Sequence, residues 1–263
     1  MNKLKINNVE LAYRDEGTGQ PIVFLHAFPL NQTMWDNQVA EFQATNRIIT
    51  FDWPGFGISG LRSGNNGLTG FADDLASLLD ELKIQSATIC GLSMGGYSAF
   101  AFYRKHVDRV NALILCDTRA TEDTDEGKKA RYETAELARQ RGASALVETM
   151  TPKLLGESTL KTKPQIVAKV QEMIETAHPE GIAQALIGMA QRPDSTDLLA
   201  RITCPTLIIV GKEDKLTPPN DAEKMNQAIA FSQLQVIENA GHLPNLEEPE
   251  SFNQALGNFL KQL

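Results

Sequence analysis

Apolar residues along this chain follow two spacings in turn. Continuous runs at residues 22–25, 87–90, 112–116 and 206–210 have the length and the β-branched content of strands buried on both faces. Between them the spacing becomes helical. Phe71, Leu75, Leu78, Leu79 and Leu82 fall on one stripe wide enough to pack on a sheet, with Thr69 as the expected N-cap. Residues 4–6 and 9–13 flank Asn7-Asn8, a pair that tolerates positive φ, which predicts a hairpin. Residues 47–51 and 234–237 read as further strands, and residues 35–42, 220–230 and a last stretch ending near Leu260 as helices. Strands alternating with helices at this cadence predict an α/β fold with a mostly parallel, doubly wound sheet.

The cadence stops after the sixth strand pattern. From residue 119 to residue 200 only helical patterns occur, broken by Gly142, Pro152, Gly156, Pro164, Pro179 and Pro193. A strand-free stretch of that length exceeds an ordinary crossover connection. It predicts about four helices inserted as a lid over the C-terminal edge of the sheet. The expected organisation is a core from residues 1–118 and 201–263, with a helical cap over 119–200.

The run at 87–90 leads directly into Gly91-Leu92-Ser93-Met94-Gly95, and a helical pattern follows at once. A strand entering a helix through one serine needs a very tight turn, and the flanking glycines allow the backbone to close around it. Ser93 is then lifted to the C-terminal edge of the sheet. The Met94 N–H stands at a helix start, where negative charge is favoured.

A serine hydroxyl becomes nucleophilic only when a base takes its proton, so a histidine with a carboxylate partner is required. Of His26, His106, His178 and His242, the last lies in a Gly-containing loop after the final strand, at the same edge as Ser93. Two carboxylates follow strands at that edge, Asp214 and Asp117. Asp214 is favoured because its strand is the nearer in sequence to the His242 loop, and Asp117 stands as the alternative. Two N–H donors are needed for the oxyanion of a tetrahedral intermediate. Met94 supplies one, and the loop after residues 22–25 is expected to supply the other from Phe28.

Composition narrows the partners. The chain has 263 residues, 42% of them hydrophobic, and a formal net charge of -8 with no clustered basic face, which argues against nucleic acid. No apolar run reaches the roughly 18 residues of a membrane span, and the first twenty residues contain no signal-type apolar region. Cys90, Cys116 and Cys204 fall in or beside strand candidates without metal-type spacing, so free thiols in a reducing, cytoplasmic setting are expected.

Taken together, His26-Ala27-Phe28-Pro29, Asp52-Trp53-Pro54-Gly55-Phe56-Gly57-Ile58-Ser59, Gly91 to Gly96, Gly211-Lys212-Glu213-Asp214 and Gly241-His242 resemble the motifs of the α/β-hydrolase family in their order. The likeness is greatest to small bacterial esterases, including 3-oxoadipate enol-lactonases and cofactor-free haloperoxidases. It implies an eight-stranded sheet, a helical cap and a Ser93, Asp214, His242 triad, with no metal and no organic cofactor. One departure is Ala27, where the family usually has Gly. The expected activity is hydrolysis of small carboxylic esters or lactones through an acyl-enzyme. Enol-lactone hydrolysis, C–C bond hydrolysis and perhydrolysis use the same triad, and a non-catalytic receptor is the rival from another class. A substrate bearing a carboxylate would want a basic group at the pocket, for which Arg119 and Arg192 are the candidates.

Overall fold

The computed structural model describes residues 1–64 and 67–263. Strands β1 (Asn2–Ile6), β2 (Val9–Glu16), β3 (Gln20–Leu25), β4 (Asn46–Phe51), β5 (Ala87–Leu92), β6 (Val110–Cys116), β7 (Thr206–Gly211) and β8 (Ser232–Ile237) form one sheet. Its order is β1-β2-β4-β3-β5-β6-β7-β8. The pairs β1–β2 and β2–β4 are antiparallel, and from β4 to β8 every pair is parallel. The predicted mostly parallel, eight-stranded α/β sheet is therefore what the chain builds.

Position in the sheet explains the strand sequences. β5 and β7 are buried at every residue, as their continuous apolar runs require, whereas the edge strands β1 and β8 alternate. Asn7 (φ 46°) and Asn8 (φ 66°) make the turn that joins β1 to β2, and the register pairs Ile6 with Val9.

In chain order the helices are α1 (Asp36–Phe42), α2 (Gly67–Glu81), α3 (Met94–Lys105), α4 (Asp125–Arg141), α5 (Val147–Leu154), α6 (Glu157–Thr162), α7 (Pro164–Glu175), α8 (Pro179–Ala190), α9 (Thr196–Leu199), α10 (Pro219–Ala228), α11 (Pro244–Glu247) and α12 (Pro249–Leu260). Phe71, Leu75, Leu78 and Leu79 of α2 are buried as the stripe predicts. Burying each such side chain contributes about 1.5–3 kcal/mol. Thr69 does not cap this helix but lies within its first turn, because the helix already runs from Gly67 and buries Leu68.

Between residues 119 and 200 the described chain forms six α-helices where about four are expected. The short helices α5 and α6 and the start of α7 follow one another so closely that their patterns merge in the sequence, and α9 is a single turn. Pro152 lies inside α5 without ending it, while Pro164 and Pro179 take the first positions of α7 and α8, where a missing N–H costs nothing.

At the C-terminal ends of β7 and β8 the backbone is packed to contact. A Cβ added at Gly211 would come within 1.8 Å of the Gly241 carbonyl oxygen. Gly211→Ala is accordingly expected to destabilise the fold by about 1–3 kcal/mol or more. A thermal melt should show a loss of several degrees; an unchanged melting temperature would contradict this packing.

Candidate active site

Ser93 sits between β5 and α3 with φ 56° and ψ -113°, a backbone conformation that costs a non-glycine residue energy and persists only when its surroundings impose it. Those surroundings are visible. Its N–H donates to Cys116 O at 2.9 Å, while its carbonyl accepts from Tyr97 N–H and Thr118 Oγ1, each at 3.0 Å. Glycine is required here by close approach rather than by φ: a Cβ on Gly95 would stand 2.2 Å from the Leu25 carbonyl oxygen.

His242 is buried, and its Nδ1 lies 2.8 Å from Asp214 Oδ2. Thr217 Oγ1 donates to the same carboxylate oxygen at 2.6 Å and stands 3.3 Å from Nδ1. Acceptors therefore surround Nδ1, which carries the proton and leaves Nε2 as the ring's acceptor. Asp214 Oδ1 accepts from Leu216 N–H at 2.8 Å and Thr217 N–H at 3.2 Å. Burial by itself would raise the Asp214 carboxyl, but His242 and these donors outweigh it and hold it below the ordinary carboxylate range.

Asp117, the alternative carboxylate, is placed behind the pair. One ligand atom each from Asp117, Asp214 and His242 falls within 4.8 Å of the others. Asp117 accepts from Gly211 N–H at 2.8 Å, and burial together with the neighbouring Asp214 pushes its carboxyl well above the usual range. This group does not suit a cation: the Asp214 and His242 atoms are bonded to each other, and Asp117 favours its protonated form.

Ser93, His242 and Phe28 line a single cavity of about 260 Å³. Its floor is the sheet edge, and its walls are Arg119, residues of α4 and α5, and Leu186 and Met189 of α8. No hydrogen bond joins Ser93 Oγ to His242 among the described residues, an arrangement common before substrate binds. As the first residue of α3, Met94 has no acceptor for its N–H within the helix. Ala27 is buried and is not among the positive-φ residues, so alanine replaces the family's usual glycine there without backbone strain.

The other histidines have structural partners. His26 Nε2 accepts from Trp53 N–H at 3.0 Å, and its Nδ1 lies 3.0 Å from Ala27 O, which ties the Phe28 loop to the loop after β4. His178 caps α8 by accepting from Glu180 N–H, and His106, at the C-terminal end of α3, packs its ring on Phe102 with centroids 5.1 Å apart. Arg192 is buried behind the cavity wall, whereas Arg119 lines the cavity.

Sequence reasoning missed Glu247, which is buried and accepts from Gly241 N–H at 2.9 Å, Leu243 N–H at 3.0 Å and Gly156 N–H at 2.8 Å. It fixes the loop that carries His242, and only its position five residues after His242 hinted at this. Thr217, Arg131 and Lys153 were missed as well, since nothing local distinguishes them from surface polar residues.

The profile of a family described as alpha/beta hydrolase fold matches residues 20–249. A 3-oxoadipate enol-lactonase of Acinetobacter baylyi is 30% identical over 261 residues, 98% of this chain and 96% of that protein. Among solved structures, a thermophilic esterase from Thermogutta terrifontis, with malate bound, is 45% identical, with a TM-score of 0.96 over 99% of this chain and 98% of that one. The enol-lactonase from Burkholderia xenovorans LB400 is 28% identical, with a TM-score of 0.92 over 99% of this chain and 100% of that one.

The raised Asp117 carboxyl has a consequence for stability. The folded chain holds this proton at pH values where the unfolded chain, with a carboxyl near 3.9, has lost it. Stability from this group is therefore greatest at low pH and falls as pH rises above about 4. Asp117→Asn removes that loss, so its melting temperature should gain on the wild type as pH rises above about 4. Parallel curves for the two proteins would mean that Asp117 is ionised in the fold.

Proposed function

The chain belongs to the alpha/beta hydrolase fold family, and from that premise we propose that it is a serine hydrolase of small carboxylic esters or lactones. The observation that carries the reading is that Ser93 and His242 line one cavity, with Asp214 hydrogen-bonded to the far side of the imidazole. The esterase and enol-lactonase relatives support the same class of reaction.

In this mechanism Ser93 Oγ attacks the acyl carbon while His242 Nε2 takes its proton. Asp214 holds the tautomer and stabilises the imidazolium that forms. Negative charge that develops on the carbonyl oxygen is met by the N–H groups of Met94 and Phe28, a fixed electrostatic contribution usually among the largest in such sites. The C–O bond then breaks, His242 returns the proton to the leaving oxygen, and a water activated by the same imidazole releases the acid from Ser93. In a lactone, both parts remain in one product. Residues 119–200 act as the cap that limits water and sets the size of the acyl group. A cavity of about 260 Å³ lies just under the roughly 300–1,000 Å³ of pockets that take drug-sized ligands, in keeping with a small substrate.

Ser93→Ala is expected to lower kcat on 4-nitrophenyl acetate by about three to six orders of magnitude without changing the thermal melt. Asp214→Asn should cost about four orders of magnitude by favouring the wrong tautomer, whereas Asp117→Asn should retain most of the activity. Turnover surviving in Ser93→Ala would sink the assignment. Failure of a fluorophosphonate probe to label wild-type Ser93 would favour a non-catalytic receptor.

A further inference from the structure

We infer that the cavity recognises substrates by a carboxylate on the acyl side, bound by Arg119 and Arg131 at the wall opposite the reacting carbonyl. This inference rests on the ester-hydrolase reading and adds a substrate class to it.

The chain as a whole is acidic, at -8, yet the cavity is lined by three cations, Arg119, Arg131 and Lys153, against one carboxylate, Asp123. Low-dielectric walls concentrate such a field at the site, where it attracts anions. Asp123 is 2% exposed and serves three guanidiniums at once. Arg119 Nη2 lies 2.8 Å and Arg192 Nη2 2.9 Å from its Oδ1, and Arg131 Nε binds its Oδ2. Arg192 and Arg131 hold the Asp123 carboxyl well below the ordinary range despite its burial. One negative charge against three positive ones leaves the cluster in excess by two.

The three arginines are not equivalent. Arg192 is spent inside the protein: it donates to Met189 O at 2.8 Å and Thr121 O at 3.0 Å, and its guanidinium stacks on the Tyr97 ring at 4.0 Å. It orients Asp123 and does not line the cavity. Arg119 makes a hydrogen bond through Nη2, while its Nε is buried without a partner among the described residues. The side chains of Arg119 and Arg131 both line the cavity and stay 29% and 21% exposed, so each can add a charge-assisted hydrogen bond to an incoming carboxylate beside the one it makes to Asp123. Asp221, a second acid that bears on Arg119 after Asp123, is itself 3.7 Å from Lys224. A planar guanidinium matches a carboxylate in two-point geometry, which a neutral acyl chain of equal length cannot exploit.

The test compares 4-nitrophenyl hemisuccinate and hemiglutarate with 4-nitrophenyl butyrate and valerate, which share the leaving group. In the wild type kcat/KM should favour the charged ester of a matched pair, and added NaCl should shrink the preference through screening. Arg119→Gln and Arg131→Gln should each lower the charged-to-neutral ratio about 10- to 100-fold, the scale of one charge-assisted hydrogen bond. The change should appear mainly in KM. Each variant leaves Asp123 two guanidiniums, so the fold should survive. Arg131→Lys, which keeps the charge, should restore part of the ratio and separates charge loss from misfolding.

Succinate should inhibit butyrate ester hydrolysis competitively, and more weakly in Arg119→Gln. A wild-type ratio at or below one, or a ratio unmoved in both Gln variants, would overturn the subsite while leaving the hydrolase reading intact. Loss of that reading would show instead as turnover that survives Ser93→Ala.

Discussion

The hydrogen bond between His242 Nδ1 and Asp214 Oδ2, 2.8 Å long and shut away from water, is the contact that the C-terminal edge of the sheet exists to hold. Its two ends lie on loops from adjacent parallel strands, and no feature of either loop alone would bring them together. Register does so: β7 and β8 pair from Thr206–Ser232 to Gly211–Ile237, so both chains leave the sheet at the same height. Gly211 and Gly241 then let the loop backbones touch.

A second buried carboxylate beside this contact shows how environment assigns different states to one functional group. Asp214 and Asp117 are close and both inaccessible. Asp214 is surrounded by donors and the imidazole and is pulled down; Asp117, buried beside the like-charged Asp214, is pushed up although it accepts from the Gly211 N–H. Two adjacent acids separated in this way can share a small volume because only one is charged. Asp123 shows a third outcome, ionised because its burial is answered by more positive charge than it needs. Two of its three guanidiniums, Arg119 and Arg131, line the cavity.

The loops at this edge carry little regular structure, and buried polar side chains do the work that strands do elsewhere. Glu247 binds three backbone N–H groups around the His242 loop, and Leu154 O accepts the His242 N–H at 3.1 Å. Asp52 accepts from Gln32 N–H and Ile58 N–H, and Ser59 Oγ donates back to Asp52 O, closing the loop after β4. A loop bound at several points loses its freedom on folding rather than at each encounter with substrate, which is the physical basis of preorganisation.

Much of this was legible in the residues. Apolar runs marked the central strands because burial on both faces leaves no room for alternation, and glycines on both sides of Ser93 marked the tight turn because a Cβ there has nowhere to go. The order of strands and loops was enough to single out His242 and to favour Asp214. Boundaries were less legible: Thr69 has the chemistry of a cap but lies inside α2, and the six helices between residues 119 and 200 merge into fewer periodic stretches. The roles of the arginines were legible only in part: of the two candidates for a basic group at the pocket, Arg119 lines the cavity and Arg192 does not. Arg192 faces inward and Arg131 lines the cavity, although both are ordinary basic residues in helical surroundings. Periodicity reports which face of an element is buried. Which side chains from distant elements meet, and what charge they leave unpaired, is decided only when the elements pack.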